Sequence, residues 1–512
     1  MQKVVPALAG ITTIYTNKKG YKVKKSILWR GIGVMDLLIV LLSLGLLIFV
    51  AYRGFSVILF APLCALLAVF LTEPANVLPF FSNVFMAKMV GFIKLYFPVF
   101  LLGAIFGKVV EITGIAEKIA KIIIHFIGVK RAILSIVLMG AILTYSGVSL
   151  FVAVFAIYPF AAQLFREADI PKRLIPATIA FSAFTFSMDS LPGSPQIQNV
   201  IPTTFFKTDI YAAPTLGIIG ALFIFICGML YLERCRKKAA AKGEGYFGKG
   251  GATSEMAATT SAQLVQNPIA SSDVIPVSYW IAFLPLILVG VMNKVFTAFI
   301  PVWYTKGFDF ASIGLKEYGT IDMGQVVGIW SVEMALLIGI LSAILLNFQA
   351  IKEHFQSITS VGVSGSILAA MNTAAEYGFG AVIAALPGFV MIQNYLTGTF
   401  SNPLISGAVM TNILCGLTGS GSGGMSITLG LMAEKYIEAA TNFDIPLDVL
   451  HRVIAMAAGG MDTLPHNGAV ITLLAVTGLT HREAYKEIFG ITIIKTLAVF
   501  FVVGMYMMFS IV

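Results

Sequence analysis

Two aspartates lie inside apolar stretches of the chain, and each is followed by a proline and by small polar residues. Asp189 begins the phrase Asp-Ser-Leu-Pro-Gly-Ser-Pro, and Asp462 begins the phrase Asp-Thr-Leu-Pro-His-Asn-Gly. A carboxyl group in apolar surroundings can carry a proton or pair with a cation, and proline interrupts a helix beside it. The interruption frees backbone N–H groups that can bind an anion. The chemistry predicted here is therefore binding of a small anion together with a coupling ion.

A second pair of matched phrases lies upstream of the aspartates. Residues 145–149 read Tyr-Ser-Gly-Val-Ser, and residues 419–423 read Gly-Ser-Gly-Ser-Gly. Ser146 and Ser420 are 274 positions apart and the two aspartates are 273 apart, so both phrases recur at nearly the same offset. Two phrases with one offset predict an internal repeat, in which each half of the chain carries one copy of the site.

Composition places this repeat in a lipid bilayer. Of 512 residues, 58% are hydrophobic and 12% are charged, the mean hydropathy is +0.90, and apolar runs of about twenty residues recur along the chain. Such runs predict an all-α polytopic membrane protein. The net charge of +9 arises from Lys and Arg in short segments beside these runs, which indicates orientation in the membrane and argues against a nucleic-acid partner.

The chain is predicted to divide into four parts. They are a basic N-terminal segment at 1–33 without an evident signal peptide, a first transmembrane repeat at 34–232, a flexible connector at 233–276 and a second repeat at 277–512. The elements predicted in the first repeat are spans at 35–52, 54–71 and 90–111, an amphipathic interfacial helix at 115–128, a re-entrant hairpin at 131–165, a helix broken at Asp189 and a span at 211–232. Those in the second repeat are spans at 277–300, 325–347 and 360–384, a hairpin at 403–440, a helix broken at Asp462 and a span at 489–512.

These elements give five net crossings per repeat, because a re-entrant hairpin returns to its own side. An odd number inverts the second repeat relative to the first. Charge agrees with this inversion, since Lys and Arg flank the first hairpin whereas residues 377–433 contain no charged residue. The positive-inside rule then places the first hairpin and the connector in the cytoplasm and the N-terminus outside, although the basic charges of the N-terminus favour the opposite side.

The two broken phrases also carry a resemblance. Residues 191–199, Leu-Pro-Gly-Ser-Pro-Gln-Ile-Gln-Asn, together with residues 419–424, resemble the gluconate permease family of the ion-transporter superfamily, and the first phrase is similar to its 3-hydroxybutyrate permease branch. The resemblance implies an organic-acid symporter with inverted repeats, re-entrant hairpins and unwound helices around a carboxylate. The hairpin phrases differ from a strict Ser-Asn-Thr motif, so no sodium ligands are carried over.

Candidate site residues follow from the four phrases. The predicted substrate-binding residues are Ser146, Gly147, Ser149, Ser190, Gly193, Ser194, Ser420, Gly421, Ser422, Thr463, His466 and Asn467. The predicted coupling residues are Asp189, Asp462, Glu111 and Glu376. Alternatives stay open: the aspartates can serve as helix caps, His466 as a buried hydrogen-bonded side chain and the glutamates as packing or helix-end residues. Lys495 is alone in the last apolar run and either reaches the interface or pairs with a glutamate.

The function predicted from these residues is proton-coupled symport of a small organic acid such as gluconate or 3-hydroxybutyrate across the inner membrane. The partners would be the carboxylate, the proton or sodium ion, and the bilayer, with no cofactor and no metal; a homodimer stays open. Alternatives are a sodium-coupled transporter and an anion channel. An enzyme is the rival class, since residues 362–365 read Gly-Val-Ser-Gly as in intramembrane serine proteases, with His466 as the base.

Overall fold

The fold is almost entirely helical and repeats itself. A computed structural model describes residues 26–53, 55–128, 131–148, 150–248, 279–305, 307–391, 402–465 and 467–512. Six helices in these ranges are long and apolar enough to cross a membrane. The chain is therefore a multi-pass α-helical membrane protein. Ser149, His466, residues 1–25 of the N-terminal segment and residues 249–276 of the connector lie outside the described residues.

The first repeat begins with three membrane helices and ends with a fourth. Its helices are α1 Ser26–Tyr52, α2 Val57–Thr72, α3 Met86–Ile112, α4 Ile115–Ile127, α5 Ala132–Tyr145, α6 Leu150–Glu167, α7 Ile175–Ala183, α8 Phe186–Asp189, α9 Ile197–Phe206 and α10 Pro214–Ala240. Short turns at Pro74–Asn76 and Val77–Pro79 and a π-helical turn at Phe80–Phe85 precede α3. Helices α5 and α6 form the first hairpin, and α7 to α9 form the first broken helix. The tip between α5 and α6 includes Gly147, whose φ of 95° lies in the left-handed region that glycine adopts without strain.

The second repeat presents the same order. Its helices are α11 Leu284–Trp303, α12 Met323–Leu346, α13 Phe348–Ala384, α14 Pro403–Thr418, α15 Gly421–Asn442, α16 Leu447–Gly460, α17 Gly468–Thr477 and α18 His481–Phe509. The strands β1 Phe308–Asp309 and β2 Thr320–Ile321 pair in the loop between α11 and α12. Helices α14 and α15 form the second hairpin, and α16 and α17 form the second broken helix.

Contacts between the repeats follow a pseudo-two-fold pattern. Helix α9 packs on α15 and α16, and its counterpart α17 packs on α6 and α7, which are the counterparts of α15 and α16. Likewise α2 packs on α13 while α12 packs on α3, and the last helices α10 and α18 pack on each other. Each broken helix thus completes its packing on the hairpin of the other repeat. Together with the odd number of crossings, this pattern defines two inverted repeats.

The structure corrects two boundaries. The first broken helix was predicted to break at Asp189, but α7 already ends at Ala183, and Thr185 has a non-helical backbone, with φ −134° and ψ −127°, before the short helix α8. The connector was predicted to begin at residue 233, but α10 continues to Ala240, and Asp169 Oδ1 accepts a 2.9 Å hydrogen bond from the backbone N–H of Tyr246. Residues 233–248 therefore belong to the folded first repeat.

Candidate functional site

A cavity of about 470 Å³ lies between the two repeats, where the hairpin tips and the broken helices meet. Its wall includes the first tip at Gly147, the second tip at residues 418–422, the first break at residues 195–198, and the second break at Asp462 and residues 467–469. The third membrane helix of each repeat closes the sides through Gly103 and residues 368–376. Four backbone interruptions thus surround one space, which is where unpaired backbone groups can meet a ligand instead of lipid.

Four helix N-termini converge on this cavity. The first residues of α6, α9, α15 and α17 all line its wall; they are Leu150, Ile197, Gly421 and Gly468. A helix N-terminus carries partial positive charge and N–H groups without intrahelical partners. Two N-termini come from each repeat, so the cavity is electrostatically suited to an anion although its wall contains no Lys or Arg.

Hydroxyl groups of the second tip face this cavity. Ser420 caps α15, because its Oγ accepts a 3.1 Å hydrogen bond from the Gly423 N–H. Ser420 also hydrogen-bonds the Glu376 carboxyl group, so a ligand would have to replace Glu376 as the acceptor of its hydroxyl proton. Ser422 also lines the cavity, and its Oγ lies 3.4 Å from the Oγ1 of Thr373 on α13. Ser420, Gly421 and Ser422, which were predicted to bind the substrate, thus all line the cavity, and their contact with a substrate stays a prediction.

The first tip and first break are arranged differently. Ser146 donates to the Ile142 carbonyl of its own helix at 2.6 Å, and Ser194 donates to Ser187 O at 2.8 Å. Ser190 donates to Asp189 Oδ1 at 2.7 Å. None of these three serines lines the cavity, nor does Gly193, and of the predicted residues on this side that the structure describes only Gly147 does. The structure gives these three serines hydrogen-bond partners within the protein, and their contact with a substrate stays a prediction.

The predicted residues of the second break also differ in whether they line the cavity. Asn467 caps α17 through a 2.6 Å hydrogen bond from Ala469 N–H to its Oδ1, and it lines the cavity. Thr463 does not line it, and its hydroxyl pairs with Thr492 Oγ1 at 2.8 Å, so its contact with a substrate stays a prediction that this placement does not support.

The four predicted coupling carboxylates occupy four different environments. Glu376 lines the cavity and is 5% exposed, and its Oε2 has no hydrogen-bond partner among the described residues. Asp462 lines the cavity and forms an ion pair with Lys495. Asp189 is buried behind the wall, and Glu111 pairs with Lys108 at 2.8 Å near the end of α3. Glu111 does not line the cavity, so its role in coupling stays a prediction that this placement does not support.

The Glu376 carboxyl group lies against the first turn of α15. A Cβ atom built on Gly423 would lie 2.0 Å from Glu376 Oε2 and 3.0 Å from Ser420 Oγ, so only glycine leaves room for this carboxyl group. An ionised carboxylate at a helix N-terminus is stabilised by the helix dipole, as a bound anion would be. Ionised Glu376 and an anionic ligand therefore compete for the same end of the cavity.

Sequence reasoning missed four polar residues here. Gln196 and Gln198 line the cavity; Gln196 Nε2 donates to Thr144 O at 2.6 Å, and Gln198 Oε1 is buried without a hydrogen-bond partner in the described part of the chain. His451 and Arg452 are fully buried on α16 beside the first break. The sequence could have indicated both pairs. The glutamines follow Pro195 directly, and Arg452, next to His451, is a charged residue within an apolar helix.

The asymmetry of the two tips gives the first prediction. Ser420→Ala should raise the dissociation constant of the carboxylate about tenfold or more, since a hydrogen bond to a charged group contributes roughly 1.5–3 kcal/mol and each 1.4 kcal/mol is tenfold. Ser146→Ala is the matched control and should bind like the wild type. Isothermal titration of both purified variants measures this difference. Equal losses in the two variants would contradict the placement of the site at the second tip.

The inverted repeats, the membrane helices and the cavity at the helix interruptions define a class, the polytopic α-helical membrane proteins built from two inverted halves. No protein-family model matches the chain. It is 62% identical over 473 residues to the uncharacterized transporter YxjC of Bacillus subtilis strain 168, and the match covers 92% of this chain and 99% of YxjC. The chain belongs to the same family as YxjC.

A solved structure also matches the fold at low similarity. The crystal structure of the Alcanivorax borkumensis YdaH transporter, described as having an unusual topology, aligns over 85% of this chain and 90% of that chain. The TM-score is 0.44 and the sequence identity is 13%, so this likeness supports no inference about the site.

Proposed function

We propose that this protein is a secondary active symporter that moves a small organic acid together with protons across the cell (inner) membrane by alternating access. The observation that carries this proposal is the convergence of four helix N-termini, two from each inverted repeat, on one cavity. Such a site binds an anion through backbone dipoles, and the inverted repeats provide two related packings that can expose it to either side. The name of YxjC as a transporter agrees with this class.

The cavity favours a hydroxy acid among small carboxylates. Its volume of about 470 Å³ lies at the small end of ligand pockets. Ser420 and Ser422 offer hydroxyl groups to a carboxylate at the second tip, and Gln198, which also lines the cavity, has a side-chain oxygen, Oε1, without a hydrogen-bond donor among the described residues. A substrate hydroxyl group supplies that donor. Gluconate, 3-hydroxybutyrate and related short-chain hydroxycarboxylates fit this pattern, as the resemblance to the gluconate permease family also implies.

Glu376 supports the proton as the coupling ion. It lies at the N-terminus of α15 without a cationic partner among the described residues, whereas Asp462 is paired with Lys495. Binding of an anion beside ionised Glu376 would place two like charges in a buried site, which is strongly unfavourable. Protonation of Glu376 removes this repulsion and frees the helix N-terminus. One proton would then enter with each carboxylate.

Of the three alternatives, the structure bears on the protease, whereas the channel and the sodium-coupled carrier require an experiment. The protease phrase is not supported, because Ser364 lies on an exposed face of α13 and its hydroxyl donates to Ser360 O at 2.7 Å. A channel and a sodium-coupled carrier use the same cavity and are separated by experiment. In proteoliposomes loaded with unlabelled substrate, a carrier accumulates labelled substrate transiently by counterflow and a channel does not.

A thermal-shift screen tests the proposal directly. A ligand that binds the folded state raises its stability by about 2.7 kcal/mol at a hundredfold excess over the dissociation constant. The purified protein should therefore be stabilised more by hydroxycarboxylates, which bind more tightly in this proposal, than by plain carboxylates of equal length. The stabilisation should grow as the pH falls and should be equal in sodium and choline buffers. Stabilisation by none of the carboxylates at any pH would refute the proposed substrate class.

A further inference from the structure

Lys495 is the only charged residue between positions 488 and 512, and it lies in the middle of the last membrane helix. It is 2% exposed, so its ammonium group has no access to water or to the membrane interface. A charge in this position is costly unless other groups of the protein compensate it. The groups that contact Lys495 therefore indicate the role of its charge.

The ammonium group lies between the breaks of the two repeats. Its Nζ forms an ion pair with Asp462 Oδ1 from the second break and donates to Phe184 O, at 3.1 Å, from the first break. Phe184 is the residue at which α7 ends, so its carbonyl belongs to the negative end of a helix dipole. The same helix α18 also contacts the end of α16, since Thr496 donates to Gly460 O at 3.1 Å.

These ligands are the kind that hold sodium ions in broken-helix transporters. Carboxylate oxygens, unwound backbone carbonyls and C-terminal ends of half-helices coordinate alkali cations at such breaks. Here an ammonium nitrogen, tethered to the chain, occupies the point where these oxygens converge. Other charged or titratable groups near it are Asp189, whose charge interacts with Lys495, and Cys415 on the arm of the second hairpin.

We infer that the Lys495 ammonium is a built-in cation that takes the place of a coupling sodium ion between the two breaks. This inference rests on the proposed function and deepens it. Asp462 is permanently neutralised, the first and second breaks are held together by a charge of the protein itself, and no sodium ion is needed to assemble the cavity. The proton then remains as the coupling ion, and Glu376 is left as the group that takes it up at the cavity.

Lys495→Ala tests the inference because it leaves the oxygen ligands in place without their cation. The wild type should melt at the same temperature and transport at the same rate in sodium and in choline. The alanine variant should lose about tenfold or more of its uptake in choline, and sodium or methylammonium should restore uptake and raise the melting temperature, since a bound ion stabilises the folded state. The double variant Asp462→Asn with Lys495→Ala lacks the carboxylate and should respond to neither ion.

The controls separate this inference from the proposed function. Lys207→Ala removes an exposed lysine that pairs with Asp322 and should behave like the wild type in every salt. The melting temperatures report on the cation site even if no tested carboxylate is transported, so failure of the substrate class and failure of the cation site are distinguishable. If Lys495→Ala does not fold, Lys495→Arg should transport without sodium and Lys495→Gln should not.

Three results would overturn the inference. They are a wild type whose transport requires sodium, an alanine variant whose melting temperature is the same in sodium, methylammonium and choline, and a glutamine variant as active as the arginine variant.

Discussion

Glu376→Gln should abolish uphill accumulation of the substrate and preserve its exchange. Glutamine keeps the size of the side chain and resembles the protonated carboxyl group, so the anion can bind at the N-terminus of α15 without a proton. The coupling to the proton gradient is then lost, while the carrier can still alternate with substrate bound. In proteoliposomes, uptake driven by an acid-outside gradient should fall to background, and counterflow should remain near the wild-type level.

The pH dependence of binding gives a second measure of the same variant. When binding of one anion requires one proton, the dissociation constant of the wild type should rise about tenfold per pH unit above the pKa of that group. In Glu376→Gln it should be independent of pH. The other carboxylate in the cavity wall, Asp462, forms an ion pair with Lys495, and the substitution at Glu376 leaves this ion pair intact.

Glu111→Gln is the matched control for this prediction. Glu111 is also a glutamate in the third membrane helix of its repeat, but it pairs with Lys108 and lies outside the cavity. This variant should accumulate substrate as the wild type does. Equal loss of accumulation in both variants, or full accumulation in Glu376→Gln, would remove Glu376 from the coupling step.

The sequence was sufficient to predict the repeat, the two hairpins and the two broken helices. These features depend on local chemistry: the phrases at Asp189 and Asp462 combine proline and glycine with small polar residues inside apolar sequence, which indicates breaks without tertiary information, whereas single prolines such as Pro62 and Pro98 lie inside continuous helices. The break at Phe184 was missed because the local sequence, Ala-Phe-Thr-Phe, contains neither residue. The break there is stabilised by a tertiary contact, since Lys495 Nζ donates a hydrogen bond to the Phe184 carbonyl.

The different roles of the two repeats could not be predicted from the matched phrases. Ser146 and Ser420 occupy equivalent positions in sequence, but one donates to its own helix and the other caps the next helix. This difference depends on where each hydroxyl finds its nearest backbone partner in three dimensions. The prediction that Lys495 reaches the interface or pairs with a glutamate was also wrong, because its partner Asp462 is 33 positions away in the second break.

Arg452 holds the first break from the other repeat. It is fully buried on α16, and its guanidinium group donates to three backbone carbonyls of the first repeat, Asp189 O at 2.9 Å, Ala212 O at 2.8 Å and Ile210 O at 3.3 Å. It also donates to Asn199 Oδ1 at 2.9 Å. One side chain thus satisfies the carbonyl groups that the unwound segment before α10 leaves without helical partners.

Arg452→Met should therefore destabilise the folded protein severely. Methionine fills a similar volume but donates no hydrogen bond, and each buried carbonyl left without a partner costs about 1–3 kcal/mol. Asp189 O and Ala212 O would lose this donor at a cost of about 2 kcal/mol or more together, whereas Ile210 O keeps its bonds from Gly193 N–H and Asn199 Nδ2, and the first break would lose part of its fixed geometry. We expect a lower melting temperature and little monodisperse protein on size-exclusion chromatography. Arg236→Met, which removes a half-exposed arginine paired with Glu233 on α10, should leave both properties unchanged. A melting temperature of Arg452→Met equal to that of the wild type would show that the break is held by its own repeat alone.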